Sequence, residues 1–316
     1  MTTDTPPDNV QTASLRSPSD DHQAQIPPHH PLVVSMSNKP DAPPGDSTGD
    51  IPPKGDSVRR AGLSSLPPCF RCKKQPCRCK DGCTLYHADC RDVLPLLEPG
   101  SVDVVLTDPP YGIVAQFGEN EGQGGKRKLQ FDWDTRGIVD DVRRGLTMAF
   151  QLCKPKASCF VWVGFDSAER YAEPARRAGF TVKPAAWVKE CHPPAGKGNW
   201  WPSGFELAYY GYRSGAWFDD TNCHRCNVWT ADSYRYGKPN KNGHPTQKPL
   251  GMIRQHVAAI VPPGGLVLDP FVGSGTTLRA AKDLGRKAIG VEICEEYCEI
   301  AVHRLAQGVL PFGDNR

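Results

Sequence analysis

Asp108-Pro109-Pro110-Tyr111 follows a compact apolar run, Val102-Asp103-Val104-Val105-Leu106. About 160 residues later, Asp269-Pro270-Phe271-Val272-Gly273-Ser274-Gly275 follows a second such run, Leu266-Val267-Leu268. Each run is short and apolar like a buried strand, so each motif occupies a strand-to-loop exit, where open α/β sheets place ligands. The first exit suits an amine. The Asp108 carboxylate and the Pro109 carbonyl can each accept one N–H. Together they draw out a nitrogen lone pair delocalised into an aromatic ring and stabilise the positive charge that develops during attack. Pro109 and Pro110 stiffen the backbone and remove two competing donors. Tyr111 offers a π-face to a base taken out of its stack. Any one of these residues reads plainly as an acidic strand end, a proline turn or a packing tyrosine. The four together behind a buried strand point to chemistry.

The second exit opens into Thr276-Thr277-Leu278-Arg279-Ala280-Ala281, which reads as a helix. Its glycines invite a dinucleotide reading, but the third glycine of that fingerprint is missing, as is the Lys-Ser/Thr of a phosphate-binding loop. Gly273 and Gly275 are expected to let the backbone approach a ligand at this turn. Glu292 ends the next strand in Gly290-Val291-Glu292, where an acid can accept hydrogen bonds from ribose hydroxyls.

The elements that must position these exits alternate. Strands are expected at 84–87, 102–106, 158–163, 181–188, 266–268 and 288–291, and helices at 91–97, 138–153, 167–178, 249–261, from 276, and at 295–305. Such alternation implies a mostly parallel sheet. Two stretches break it. Residues 112–137 are rich in Gly and charge and contain Lys126-Arg127-Lys128, which reads either as a loop closing over DNA or as a solvated basic loop. Residues 189–243 are dense in aromatics, Gly, Asn and His and look inserted. Within them Trp200, Trp201, Tyr209, Tyr210, Tyr212 and Trp217, with Lys197, Arg213 and Arg225, suit base stacking and phosphate contacts, at least half of the rings serving as core instead.

Over residues 84–305 the chain resembles the β-class of DNA amino-methyltransferases, which act on adenine N6 or cytosine N4 with S-adenosylmethionine as donor. The resemblance rests on Asp108 to Tyr111, on the glycine loop that follows it, on His244-Pro245-Thr246-Gln247-Lys248-Pro249 and on Leu85-Tyr86-His87-Ala88-Asp89-Cys90. It implies a Rossmann-like α/β fold with a mostly parallel sheet, a circularly permuted motif order and target recognition inserted at 189–243. Position by position it makes Asp108, Pro109, Pro110 and Tyr111 catalytic. Asp89, Thr246, Lys248, Asp269, Phe271, Gly273, Gly275 and Glu292 would line the cofactor site. Asp at the first motif position goes mostly with adenine and Ser mostly with cytosine, so adenine N6 is the expected target and cytosine N4 the alternative. The expected partner is duplex DNA, with a homodimer and a cognate restriction endonuclease left open. Amino-group methylation of RNA is a further rival; protein-amide enzymes resemble Asn-Pro-Pro-Tyr here, which Asp108 contradicts. A DNA-binding protein of the same fold without catalysis is the rival from another class, and a nicotinamide-dependent oxidoreductase lacks its glycine fingerprint.

Composition sets the remaining bounds. Residues 1–66 carry 11 prolines and no apolar periodicity and are expected to form a disordered tail. They hold 5 Lys and Arg against 8 Asp and Glu, so the overall charge of +3 conceals +6 on the remainder, an excess that suits nucleic acid. No secretory signal or long apolar run is evident, and a cytoplasmic protein is expected. Thirteen cysteines in such a chain argue for reduced thiols or a metal. Cys69-x2-Cys72-x4-Cys77-x-Cys79 in the Cys-rich basic segment 67–83, and Cys223-x2-Cys226, are candidate zinc ligands, although the single-residue gap before Cys79 is not a standard spacing. Reduced, unliganded thiols are the alternative. Cys90, Cys153, Cys159, Cys191, Cys294 and Cys298 are expected to be small buried apolar residues.

Overall fold

The computed structural model describes residues 66–112, 137–189, 204–221, 226–231 and 246–308. The expected tail therefore lies outside the described residues except for Leu66, which is buried in the core. Among the described residues eight strands form one sheet: β1 (Cys83–His87), β2 (Val102–Thr107), β3 (Cys153–Val163), β4 (Thr181–Lys189), β5 (Phe205–Tyr212), β6 (Val228–Ala231), β7 (Leu266–Asp269) and β8 (Lys287–Glu292). Their spatial order is β1-β8-β7-β2-β3-β5-β4-β6. All neighbours run parallel except β5, which is antiparallel to both β3 and β4.

The helices are α1 (Cys90–Val93), α2 (Ile138–Gln151), α3 (Ala168–Arg177), α4 (Leu250–Ile260), α5 (Thr276–Asp283) and α6 (Glu295–Ala306). They cover both faces, and the strands show it. Val105, Cys159 and Val161 join one apolar cluster with Val93, Leu146 and Tyr171 of α1, α2 and α3. Their sequence neighbours Val104, Leu106, Phe160 and Trp162 join another with Ile253, Leu278 and Cys298 of α4, α5 and α6. Period-two alternation thus feeds two cores, which is why these strands read as continuous apolar runs. Fully burying a Leu or Val contributes about 1.5–3 kcal/mol, against about 0–1 kcal/mol for an exposed ion pair. Apolar faces therefore hold the frame.

Two expectations need correction. β3 begins at Cys153, five residues ahead of the expected strand, and α2 stops at Gln151. Residues 205–212 and 228–231, both expected within the irregular insertion, are instead strands of the sheet: β5 pairs with β4 from Val188↔Phe205 to Thr181↔Tyr212, and β6 pairs with it from Ala186↔Val228 to Lys189↔Ala231. Among the described residues no helix is long and apolar enough to cross a membrane.

Candidate active site

β2 delivers Asp108 to the lip of a cavity of about 320 Å³, within the usual range of ligand sites of roughly 300–1,000 Å³. The loop after it is fixed from beneath. The Tyr171 hydroxyl of α3 donates to the Pro110 carbonyl at 2.6 Å, and the Tyr209 hydroxyl of β5 donates in turn to the Tyr171 carbonyl at 2.8 Å. Gly164 makes room for the motif tyrosine, since a Cβ there would stand 3.0 Å from the Tyr111 Cβ. The Tyr111 hydroxyl donates to Asp108 Oδ1 at 2.5 Å.

The other Asp108 oxygen meets a buried cation. Lys248, expected on the cofactor wall, lines the cavity and sets its buried ammonium on Asp108 Oδ2 at 2.5 Å and on Glu206 Oε2 at 3.0 Å. Glu206 of β5 also pairs with Lys189 at 2.8 Å. Burial pushes the Asp108 carboxyl above its ordinary range, and Glu206 adds to that, with Lys248 opposing both. Burial works against the Lys248 ammonium, but the two carboxylates outweigh it and keep the pKa raised. Glu206 is held low, because Lys248 and Lys189 outweigh its burial. The sequence reading missed Glu206. Its signal was a lone acid among the strand formers Phe205, Leu207, Tyr209 and Tyr210, which needs a cation once that strand is inside.

The glycine loop lies across the cavity. Asp269, Phe271, Gly273, Glu292, Asp89 and Thr246 all line it. The Asp269 carboxyl is turned to structural use: it accepts from the Thr107 hydroxyl at 2.6 Å and the Phe271 N–H at 3.1 Å, tying the ends of β2 and β7 together. Burial pushes its pKa up to about 7. Glu292 accepts from the N–H groups of Gly273 at 2.7 Å and Cys294 at 2.9 Å, and burial raises it too. A carboxylate offers about four acceptor sites, so capacity remains for hydroxyls in the cavity. Asp89 caps α1 through the Arg91 N–H at 2.8 Å and pairs with the Arg91 guanidinium at 2.6 Å. Gly275 is not part of the lining. It takes φ +80° at the start of α5, where a Cβ would lie 2.7 Å from the Ala301 Cβ, so its lack of a side chain serves packing against α6.

The remaining candidates disperse. Tyr209 is core, and Tyr210 stacks on Tyr212 at 5.6 Å. Arg213, expected to meet phosphate, donates to the carbonyls of Phe150, Cys153, Lys154 and Ala178 and closes the end of the sheet. Trp217 is half-buried. Lys126, Arg127, Lys128, Cys191, Lys197, Trp200, Trp201, Cys223 and Arg225 lie outside the described residues. Cys90, Cys153, Cys159 and Cys298 are buried as expected, and Cys294 is half-buried.

Comparison with known proteins converges on one family. The model of the N6/N4 DNA methylase family matches residues 102–303. The DNA adenine methyltransferase YhdJ of Escherichia coli strain K12 is 29% identical over 246 residues, 70% of this chain and 82% of that protein. The crystal structure of the M1.HpyAVI-SAM complex is 24% identical with a TM-score of 0.53, covering 71% of this chain and 99% of that one. The cytosine-N4-specific PvuII DNA methyltransferase is 18% identical with a TM-score of 0.57, covering 72% and 88%. These structures share the fold. With the family match spanning most of the chain and both motif loops around one cavity, the protein belongs to the N6/N4 DNA methylase family.

Proposed function

We propose that this protein methylates the N6 amino group of adenine in duplex DNA. The carrying observation is the shared cavity, in which Asp108, at the end of β2, faces the glycine loop that follows β7. S-adenosylmethionine is the donor, and it supplies an electrophilic methyl on a sulfonium. The cavity fits it in kind: Glu292 and Asp89 close two strand ends, and Trp162 Nε1 is a buried donor in the lining without a partner among the described residues. Glu292 would hold the ribose hydroxyls, and Gly273 would let the backbone approach.

The chain's own residues then act on the amine. Asp108 accepts one N–H and the Pro109 carbonyl the other, the Pro110 carbonyl being already taken by Tyr171. The nitrogen lone pair is thereby turned toward the methyl. A nitrogen–carbon bond forms as the sulfur–carbon bond breaks, and the positive charge develops beside Asp108. The amino proton leaves afterwards, and a carboxylate raised by burial is the better acceptor for it. Lys248 keeps Asp108 charged and oriented until the amine arrives. Tyr111, half-buried in the lining, offers its ring to the extruded base.

Adenine is favoured because Asp108 heads the motif, as in the adenine enzymes of the resembled family, and because YhdJ bears that specificity in its name. The test is labelled methyl transfer to duplexes containing all sequence contexts, followed by digestion and identification of the modified nucleoside. N6-methyladenine is expected. N4-methylcytosine would overturn the choice of base, and label confined to RNA or protein would overturn the substrate.

A further inference from the structure

Before β1 the chain folds back on itself and brings four thiols together. Cys69, Cys72, Cys77 and Cys79 place their sulfurs within 4.8 Å of one another. The sulfurs of Cys69 and Cys79 lie 3.9 Å apart, and those of Cys72 and Cys77 3.8 Å apart. A tetrahedral ion with zinc–sulfur bonds of about 2.3 Å spaces its ligands about 3.8 Å apart, whereas a disulfide brings two sulfurs to about 2.05 Å. The observed spacing is that of ligands around one ion. The uncommon one-residue gap between Cys77 and Cys79 does not keep the sulfurs apart.

The surroundings are built for this role. The Arg78 N–H donates to the Cys72 sulfur at 3.4 Å and the Cys79 N–H to the Cys77 sulfur at 3.5 Å, contacts that orient and stabilise thiolates. The first turn is closed by the Lys73 N–H on the Cys69 carbonyl and the Cys69 N–H on the Lys74 carbonyl, and Lys73 is held at φ 54°. Arg71, Lys73, Lys74, Arg78 and Lys80 alternate with the four cysteines along the chain, a basic segment suited to thiolates around a divalent ion. None of the four cysteines lines the cavity, and all precede the family-matched region at 102–303.

We propose that Cys69, Cys72, Cys77 and Cys79 bind one structural zinc ion that fastens this knuckle onto the free edge of the sheet. β1 is the terminal strand of that sheet. The knuckle covers it: the Phe70 N–H donates to the Leu85 carbonyl at 2.7 Å, and the Phe70 ring meets His87 edge-on at 5.6 Å. Arg71 grips both Asp81 oxygens at 2.7 Å and the Cys83 carbonyl at 2.6 Å. An exposed edge strand invites pairing with other chains, and a closed four-thiolate site answers that hazard with a covering that needs no large core. Because β1 leads directly into Asp89, the ion also steadies one wall of the cavity.

The test uses the full-length protein purified without chelator. Elemental analysis should find about one zinc per chain, and Cys72→Ser and Cys77→Ser should lose it while Cys226→Ser keeps it. Chelator should lower the thermal midpoint of the wild type and promote self-association. If the serine variants do not fold, exchange of the wild type with cobalt replaces them: strong visible absorption of tetrahedral cobalt thiolate is expected. Metal-free wild type that melts identically in chelator would overturn the proposal. So would disulfides joining these cysteines in unreduced peptide maps, or zinc retained in full by Cys72→Ser.

Discussion

The loops after β2 and β7 leave the same end of the sheet and begin with the same dipeptide, Asp-Pro, yet they use their carboxylates differently. Asp108 is bonded to two side chains, the Tyr111 hydroxyl and the Lys248 ammonium. Asp269 is bonded to the Thr107 and Thr277 hydroxyls and to the backbone N–H two residues on. A side-chain partner can yield to a substrate, but a backbone partner defines the turn. On the proposed function, Asp108 can exchange a partner for a substrate amine, while Asp269 sets the turn that carries Gly273. A short motif alone does not tell which; the partners of its carboxylate do.

The contrast can be broken most forcefully at Lys248. Lys248→Met leaves Asp108 and Glu206 without their shared cation and should cost about 3–5 kcal/mol in urea unfolding. Adding Glu206→Gln should return part of that loss. A variant as stable as the wild type would show that the buried pair is not what holds this corner.

The second loop is tested by its two glycines. Gly275→Ala forces a Cβ against Ala301 at a left-handed φ and should lower stability by about 1–3 kcal/mol, with S-adenosylmethionine affinity of the folded protein within a few-fold. Gly273→Val should instead abolish cofactor binding and leave the sheet folded. The reverse pattern, read by calorimetry, would exchange their roles.

A gentler test is pH. Asp269 is raised from 3.8 to about 7 in the fold, so between those values the unfolded chain ionises first and stability falls as pH rises. His256 is lowered from 6.5 to about 3 by burial, so between those values the unfolded chain takes the proton first and stability falls as pH drops. The two slopes oppose each other from 3.8 to 6.5. Asp269→Asn removes one of them. Its stability should rise with pH across that window more steeply than the wild type's, by up to about 1.4 kcal/mol per unit. Parallel profiles would contradict this account of Asp269.

The smallest effect belongs to Glu206. Its charge raises the Asp108 pKa, so Glu206→Gln should move the acid limb of the single-turnover rate to lower pH. A limb that stays or rises would place the controlling titration elsewhere.

Much of this was legible from residue order alone. The parallel strands other than β6 announced themselves because helices on both faces require unbroken apolar runs, and both loops followed from where those runs stop. β5 did not, because its aromatic strand residues sit in a stretch rich in Gly, Asn and charge, and its pairing with β3 and β4 is antiparallel and long-range. Glu206 was lost with it, and so was its pairing with Lys248, since that contact exists only once β5 is inside the sheet. The packing of Gly275 was hidden likewise, because the neighbour that meets its missing side chain lies in α6.

The most direct test of the central claim is Asp108→Ala under single-turnover conditions, with S-adenosylmethionine affinity measured on the same preparation. If Asp108 acts on the developing charge, the methyl-transfer rate should fall by roughly 100- to 1000-fold while the affinity changes no more than a few-fold. A near-normal rate, or a loss explained by failure to bind the donor, would contradict the assignment.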